Sequence, residues 1–419
     1  MSAPFRILHV ADCHLDAPSR SLEKAVRARL EEAARTALER AVACAIAGGV
    51  DALVLAGDLF DRDLLRIPTE LWLPELLGEA TAAGITVIAV TGNHDPGGGV
   101  GPLDRIRWPA SGFHLVRDRE PRAIEVFRAD GTTAGVVVAA GHETNRESAN
   151  LVASFPTLTD VDVPVVGLVH AQVHGYEGEH DRYAPCTPAD LDRPGYDYWA
   201  LGHVHGRGPV AASAAAWYAG CLQGRHIGEA GAKGVLEVAV TRGGPAGVVF
   251  HPVAPVRWEE LVLDDLDEVA DSRALLEHVA RRFAAVATGP DVLVDQEWIL
   301  RLTVGGRTPL FAELRGAEGL DDLAVAVRDR LGVLDVHVRD AGVAPPVDVA
   351  AHAGRPHVLG AALALVAEAR LDPELLDRLA PDRLAGAPLD EAGRAAYLRA
   401  LLDGLDLEIA AAMLTETSR

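Results

Sequence analysis

The chain has 419 residues, 61 acidic against 39 basic side chains, and a formal net charge of −22. With 49% hydrophobic residues, global disorder is excluded and the length suits two or three domains. Taken alone, the acidity argues against nucleic acid as a partner, because such a chain repels phosphate. The first strand-like run is Phe5–Ala11, with no basic segment or cleavage site before it, so no signal peptide is expected. Leu22–Ile46 carries Val26, Leu30, Ala33, Ala37 and Ala41 at helical spacing. Ala52–Ala56 is a second strand, Thr69–Ala83 a second helix and Thr86–Val90 a third strand. The Gly and Pro cluster Pro96–Pro102 breaks the pattern. Gly135–Ala140, Val163–Val169 and Tyr198–Leu201 are further strands, and Arg242–Gly247 is a second break. Strands alternating with helices predict a layered α/β fold over residues 1–255.

After Pro255 the character changes. Glu259–Asp264, Trp298–Val304 and Val333–Val338 read as strands, and Ser272–Ala287 and Leu320–Leu331 as helices. Residues 256–341 therefore form a small α/β module. Residues 342–419 are a linker, Gly342–Val349, followed by an Ala/Leu-rich helical region broken at Pro373, Pro381 and Pro388. Leu398, Leu401, Leu402, Leu405, Ile409 and Leu414 make an apolar stripe there. The acidic excess is densest beyond Pro255. No apolar run reaches the length of a membrane span. Cys13, Cys44, Cys186 and Cys221 have no C-x-x-C spacing and read as reduced thiols of a cytoplasmic protein.

Five polar clusters follow apolar runs. They are Asp12-Cys13-His14, Gly57-Asp58-Leu59-Phe60-Asp61, Gly92-Asn93-His94-Asp95, His170 and Gly202-His203-Val204-His205. The carboxyl ends of strands are where α/β sheets bind ligands, so five strands would deliver Asp, Asn and His to one rim. Such a mixed set suits two divalent cations, Mn²⁺, Fe²⁺ or Zn²⁺ rather than Ca²⁺. A cation pair about 3.5–4 Å apart clamps the attacking and leaving oxygens of a phosphoryl displacement and acidifies water.

The ordered set D-x-H, G-D-x-x-D, G-N-H-D, a lone His and G-H-x-H resembles the calcineurin-like metallophosphoesterases. Gly167–Gly175, Tyr196–Gly206, Gly224-Arg225-His226 before Lys233-Gly234, and Arg6–Asp16 are similar to the SbcD-type DNA repair exonucleases, notably their YhaO-like branch. One departure is Ala219-Gly220-Cys221-Leu222, where a Pro-Gly-Asn-like turn is expected.

The resemblance implies a sheet sandwich with flanking helices, a small α/β cap and a helical C-terminal region. It implies that Asp12, His14 and His205 hold one metal, that Asn93, His170 and His203 hold the other, and that Asp58 bridges. His94 then assists the leaving oxygen. Asp61, three residues after the bridging Asp, is placed to accept from the His94 ring and set its tautomer. Arg225 and His226 stand open between a phosphate contact and a structural turn. The implied activity is DNA exonuclease or endonuclease, with two metals, most expectedly Mn²⁺. The implied partners are DNA, an SbcC-like coiled-coil ATPase and a second copy through Thr69–Ala83. A phosphatase or phosphodiesterase for other substrates uses the same ligands. A scaffold with a decayed site is disfavoured, because every expected ligand type is present.

Overall fold

The computed structural model describes residues 3–18, 23–61, 65–98, 101–158, 161–175, 183–210, 215–346, 348–380 and 391–415. Leu22, Pro381 and Pro388, which mark a helix start and two helix breaks in the sequence, lie outside these residues. The chain divides into two compact units, one of residues 1–259 with 289–299, the other of residues 260–288 with 300–419.

In the first unit, β1 (Phe5–Val10), α1 (Lys24–Gly48), β2 (Ala52–Ala56), α2 (Ile67–Ala82), β3 (Thr86–Val90) and β4 (Phe113–Val116) follow in order. β5 (Arg122–Phe127), β6 (Thr133–Ala140), β7 (Val165–His170), α3 (Pro188–Asp192), β8 (Tyr198–Gly202), β9 (Gly208–Pro209) and β10 (Ala216–Tyr218) come next. β11 (Gly234–Val240) and β12 (Gly247–Pro252) complete the first two sheets, whose orders are β12-β11-β1-β2-β3-β4 and β5-β6-β7-β8-β10-β9. β1 to β4 run parallel, as do β6, β7, β8 and β10. Antiparallel strands close both edges of the second sheet and the β11–β12 edge of the first, whose other edge is the parallel β4.

The central strands are apolar on both faces because each face meets a different core. Ile7, Val54 and Ile88 pack with Val137, Leu168 and Tyr198 between the sheets. Their neighbours Leu8, Leu53 and Val87 face the other way, onto Leu38 and Val42 of α1 and Leu73 and Leu77 of α2. On the second sheet, Val138, Val169 and Trp199 pack against Leu151, Phe155 and Tyr196. Apart from His9 in β1, the polar residues of these central strands fall at the strand ends.

The strands at or next to the sheet edges, β4, β5 and β9 to β12, are not anticipated by the apolar pattern. β5 is largely exposed and β12 alternates between exposed and half-buried residues, so neither carries a continuous apolar run. Along α2, Leu73, Leu76 and Leu77 are buried, whereas Leu71 and Ile67 are exposed.

β13 (Val256–Leu263), β14 (Glu297–Arg307) and β15 (Asp335–Ala344) form a third sheet in that order. α4 (Ser272–Ala287) starts on the Asp271 side chain, which accepts from Ala274 N–H. α5 (Phe311–Leu314) and α6 (Ala317–Leu331) lead into β15, which runs three residues into the expected linker. α7 (Val349–His352), α8 (Val358–Leu371), α9 (Pro373–Leu379), α10 (Glu391–Leu401) and α11 (Leu405–Thr415) follow. Leu359 and Leu363 of α8 pack on Ala410 of α11. Among the described residues, no helix is long and apolar enough to cross a membrane.

Candidate metal centre

Asp12 and His14 follow β1, Asp58 and Asp61 follow β2, and Asn93 and His94 follow β3. His170 ends β7, and His203 and His205 follow β8. Parallel strands point these ends the same way. The loops after β1 and β2 are tied together: Asp12 N–H donates to Gly57 O at 3.2 Å and His14 N–H to Asp58 O at 2.9 Å.

The local backbone is strained where the donors sit. Asp12, His14, Asp58 and His203 have φ of 48°, 45°, 51° and 98°. The left-handed region costs such residues about 1–3 kcal/mol each and clusters at functional sites. Gly92 and Gly202 allow close approach. A Cβ on Gly92 would overlap the Asp58 carboxylate, and one on Gly202 would overlap Ala56 O and His170 Nδ1.

Two donor groups result. Ligand atoms of Asp12, His14 and His205 lie within 4.8 Å of one another, as do those of Asp12, Asp58 and His170. His14 Nε2 and His205 Nε2 are 3.2 Å apart. Asn93 Oδ1 lies 3.0 Å from His170 Nε2 and 3.2 Å from His203 Nδ1. Asp58 Oδ2 is 3.3 Å from His170 Nε2 and 3.8 Å from His14 Nε2, so it stands between both groups. All seven residues singled out as metal ligands thus meet at one place. His94 also comes near: its ligand atom, with those of His14 and Asp58, fits the same 4.8 Å limit.

The residues behind the donors set the tautomers. His170 Nδ1–H donates to Ala56 O at 2.9 Å, and His205 Nδ1–H donates to Glu229 Oε1 at 2.6 Å. Their Nε2 atoms are therefore the ring nitrogens that face the carboxylates. Histidines backed in this way by a carboxylate or a backbone carbonyl are usual metal ligands. Nε2 atoms facing each other beside buried carboxylates make poor mutual hydrogen bonds but a suitable donor set for cations. The residues present thus fit two divalent metals.

The charges agree. Burial pushes Asp12 above its ordinary carboxylate range. Burial also opposes ionisation of Asp58, but the His170, His14 and His94 rings outweigh it and hold Asp58 well below that range. His170 rises to about 9, burial being outweighed by Asp58 and Asp12. His14 falls to about 3 through burial and the nearby Arg225 charge.

Asp61 Oδ1 is 2.6 Å from His94 Nδ1. Burial disfavours protonated His94, yet the Asp61 hydrogen bond and the Asp58 and Asp61 charges raise its pKa overall. Arg225 and His226 flank Glu229, with Arg225 Nη2 at 3.2 Å and His226 Nε2 at 3.4 Å from Glu229 Oε1. His226 is largely exposed.

Glu229 and Asp95 are functional neighbours that the motif reading gives no role. Asp95 Oδ1 accepts from Gly92 N–H and Oδ2 from Leu59 N–H, both at 2.7 Å, locking the β2 and β3 loops together. Glu229 follows no strand. Its signal is the spacing of four from Arg225.

The calcineurin-like phosphoesterase family model matches residues 5–207. Over 317 residues the chain is 31% identical to the uncharacterized metallophosphoesterase YhaO of Bacillus subtilis (strain 168), covering 73% of this chain and 76% of that protein. Over 90 residues it is 34% identical to the DNA double-strand break repair protein Mre11 of Aeropyrum pernix, covering 22% of this chain and 21% of that protein. A solved dimetal phosphatase from Danio rerio is 14% identical, covering 59% of this chain and 99% of that one, with a TM-score of 0.37.

Proposed function

The chain belongs to the calcineurin-like metallophosphoesterase family, and on that footing we propose that it is a dimetal-dependent nuclease hydrolysing phosphodiester bonds of DNA in repair. The observation that carries the hydrolase reading is the convergence of Asp12, His14 and His205 with Asn93, His170 and His203 around Asp58. Bound divalent cations, Mn²⁺ by preference and Fe²⁺ or Zn²⁺ otherwise, supply Lewis acidity toward the phosphoryl oxygens. Asp12, His14 and His205 would hold one, Asn93, His170 and His203 the other, and Asp58 both.

The remaining residues move the proton. With the Asp61 carboxylate 2.6 Å from Nδ1, a protonated His94 keeps its Nε2–H for the leaving oxygen. The raised His94 pKa favours that form. Its side chain is 26% exposed, so substrate can reach it.

The DNA reading is supported by the 90-residue likeness to a DNA double-strand break repair protein. The same reading gives the chain an SbcC-like coiled-coil ATPase as partner and a second copy of itself, with exposed Ile67 and Leu71 of α2 supporting the latter. We place this activity in the cytoplasm, where Cys13, Cys44, Cys186 and Cys221 stay reduced. The second reading is a phosphatase or phosphodiesterase for another substrate, since the donor set serves monoesters equally.

The test is degradation of linear DNA by the full chain with Mn²⁺, beside hydrolysis of aryl phosphate mono- and diesters. DNA cleavage that is lost on chelation and restored by Mn²⁺ supports the nuclease. A clear preference for a monoester, with DNA left intact, overturns it in favour of the phosphatase.

A further inference from the structure

We propose that Arg225 grips a non-esterified oxygen of the substrate phosphate and that Glu229 positions it while also orienting His205. This rests on the phosphoester-hydrolase reading above. Arg225 lines a cavity of about 260 Å³ together with His14 and Asp61, beside the apolar side chains of Leu30, Ala34 and Pro18. Among the described residues lining that cavity, Arg225 carries the one permanent positive charge, against Asp16, Glu31 and Asp61. A phosphate ester seated in this cavity beside the metal donors would have this guanidinium within its lining.

The pairing of Arg225 is incomplete in a telling way. Glu229 Oε1 receives His205 Nδ1–H at 2.6 Å and Arg225 Nη2–H at 3.2 Å, while Oε2 receives the Arg225 backbone N–H at 2.7 Å. A structural arginine commonly engages a carboxylate through two parallel bonds. Here one guanidinium nitrogen reaches one carboxylate oxygen, and Nε is buried with no hydrogen-bond partner among the described residues. A buried guanidinium N–H without an acceptor is unfavourable unless a ligand supplies one. Phosphate oxygens, which guanidinium donors match well, would supply it.

Glu229 makes the two halves of the site interdependent. Its Oε1 fixes the His205 tautomer on one side and the Arg225 fork on the other. Metal donors and phosphate donor are thereby set by one carboxylate that touches neither ligand.

The test uses the full chain saturated with Mn²⁺, with inorganic phosphate as the calorimetric probe and a bis-aryl phosphate as substrate. Arg225→Gln should weaken phosphate binding and raise KM about tenfold or more, with metal stoichiometry and melting temperature unchanged. Arg225→Lys should recover part of that loss, since it restores charge without the fork. Glu229→Gln should weaken both phosphate and metal binding, because it releases both residues. Phosphate affinity and KM within twofold of wild type in Arg225→Gln, or loss of metal in parallel, would overturn the proposal. Failure of the wild-type chain to hydrolyse any phosphoester removes the hydrolase reading alone, and phosphate calorimetry then still decides the role of Arg225.

Discussion

Asp61 Oδ1 lies 2.6 Å from His94 Nδ1, and the same oxygen is 3.6 Å from His14 Nδ1. One carboxylate therefore steadies a metal-donor histidine and the histidine assigned to the leaving group. The two uses separate by mutation. His94→Gln should lower kcat about 10²–10⁴-fold, the range of a lost general acid, while leaving metal content at wild-type level. Asp61→Asn should lower kcat less and shift its pH profile, because His94 loses the anion that favours its protonated form. Steady-state kinetics with metal analysis on both variants checks this. Unchanged kcat in His94→Gln removes the ring from the mechanism.

Gly92 is a steric requirement of the site. Any Cβ there overlaps the Asp58 carboxylate, which also accepts from His94 N–H at 2.8 Å. Gly92→Ala should displace Asp58, cost about 1–3 kcal/mol of stability and weaken metal binding. Urea unfolding and a metal titration read the two effects. A variant with wild-type stability and metal affinity would show that the β3 loop moves freely away from Asp58.

The donors were legible because each sits at the end of an apolar run whose two faces serve two cores. Ile7 and Leu8 serve the two cores, so the first polar residues after β1, Asp12 and His14, stand out. The same logic exposes Asp58, Asn93, His170 and His203. It fails for Glu229, which lies in a turn after no strand and supports the site through His205 Nδ1. It also fails for β12, where Phe250 and Val248 are half-buried on an edge and the surrounding run carries no clean period. Edge strands and supporting carboxylates share this cause: each is defined by a partner distant in sequence.

Metal binding should register as stability. The donor set gathers Asp12, Asp58, His14, His170 and His205 from four strand ends, an assembly that the unfolded chain lacks. Saturation to about a hundredfold over Kd should stabilise the folded chain by about 2.7 kcal/mol per site. Asp58→Ala should erase most of this, because Asp58 faces both groups. Thermal melting with Mn²⁺, then with chelator, checks it. A melting temperature indifferent to every divalent cation would sink the dimetal assignment.

The net charge of −22 predicts weak intrinsic affinity for DNA. Metal-free protein should bind duplex DNA poorly at physiological salt, and Mn²⁺ should strengthen binding by placing positive charge among Asp12 and Asp58. Fluorescence anisotropy over a salt series measures both. Tight, metal-independent binding by the single chain would contradict this account of the acidity.

His9 supplies a pH dependence away from the metal donors. Its ring is fully buried on β1. Nε2–H donates to Leu201 O at 3.2 Å, and Tyr198 O–H donates to Nδ1 at 3.1 Å, so the neutral ring is satisfied. Burial lowers its pKa to about 3, and the Leu201 carbonyl only partly offsets this. The unfolded chain takes up a proton on this ring near pH 6.5, whereas the folded chain resists until about pH 3. In that window the unfolded state binds more protons, so stability falls as pH falls. The contribution is complete above about pH 6.5 and declines below it at up to about 1.4 kcal/mol per pH unit. His9→Gln keeps a donor and an acceptor but cannot titrate there. Urea unfolding from pH 7 to pH 4 should show the wild-type chain losing stability faster than His9→Gln. Parallel curves would mean that the buried ring is not a source of acid sensitivity.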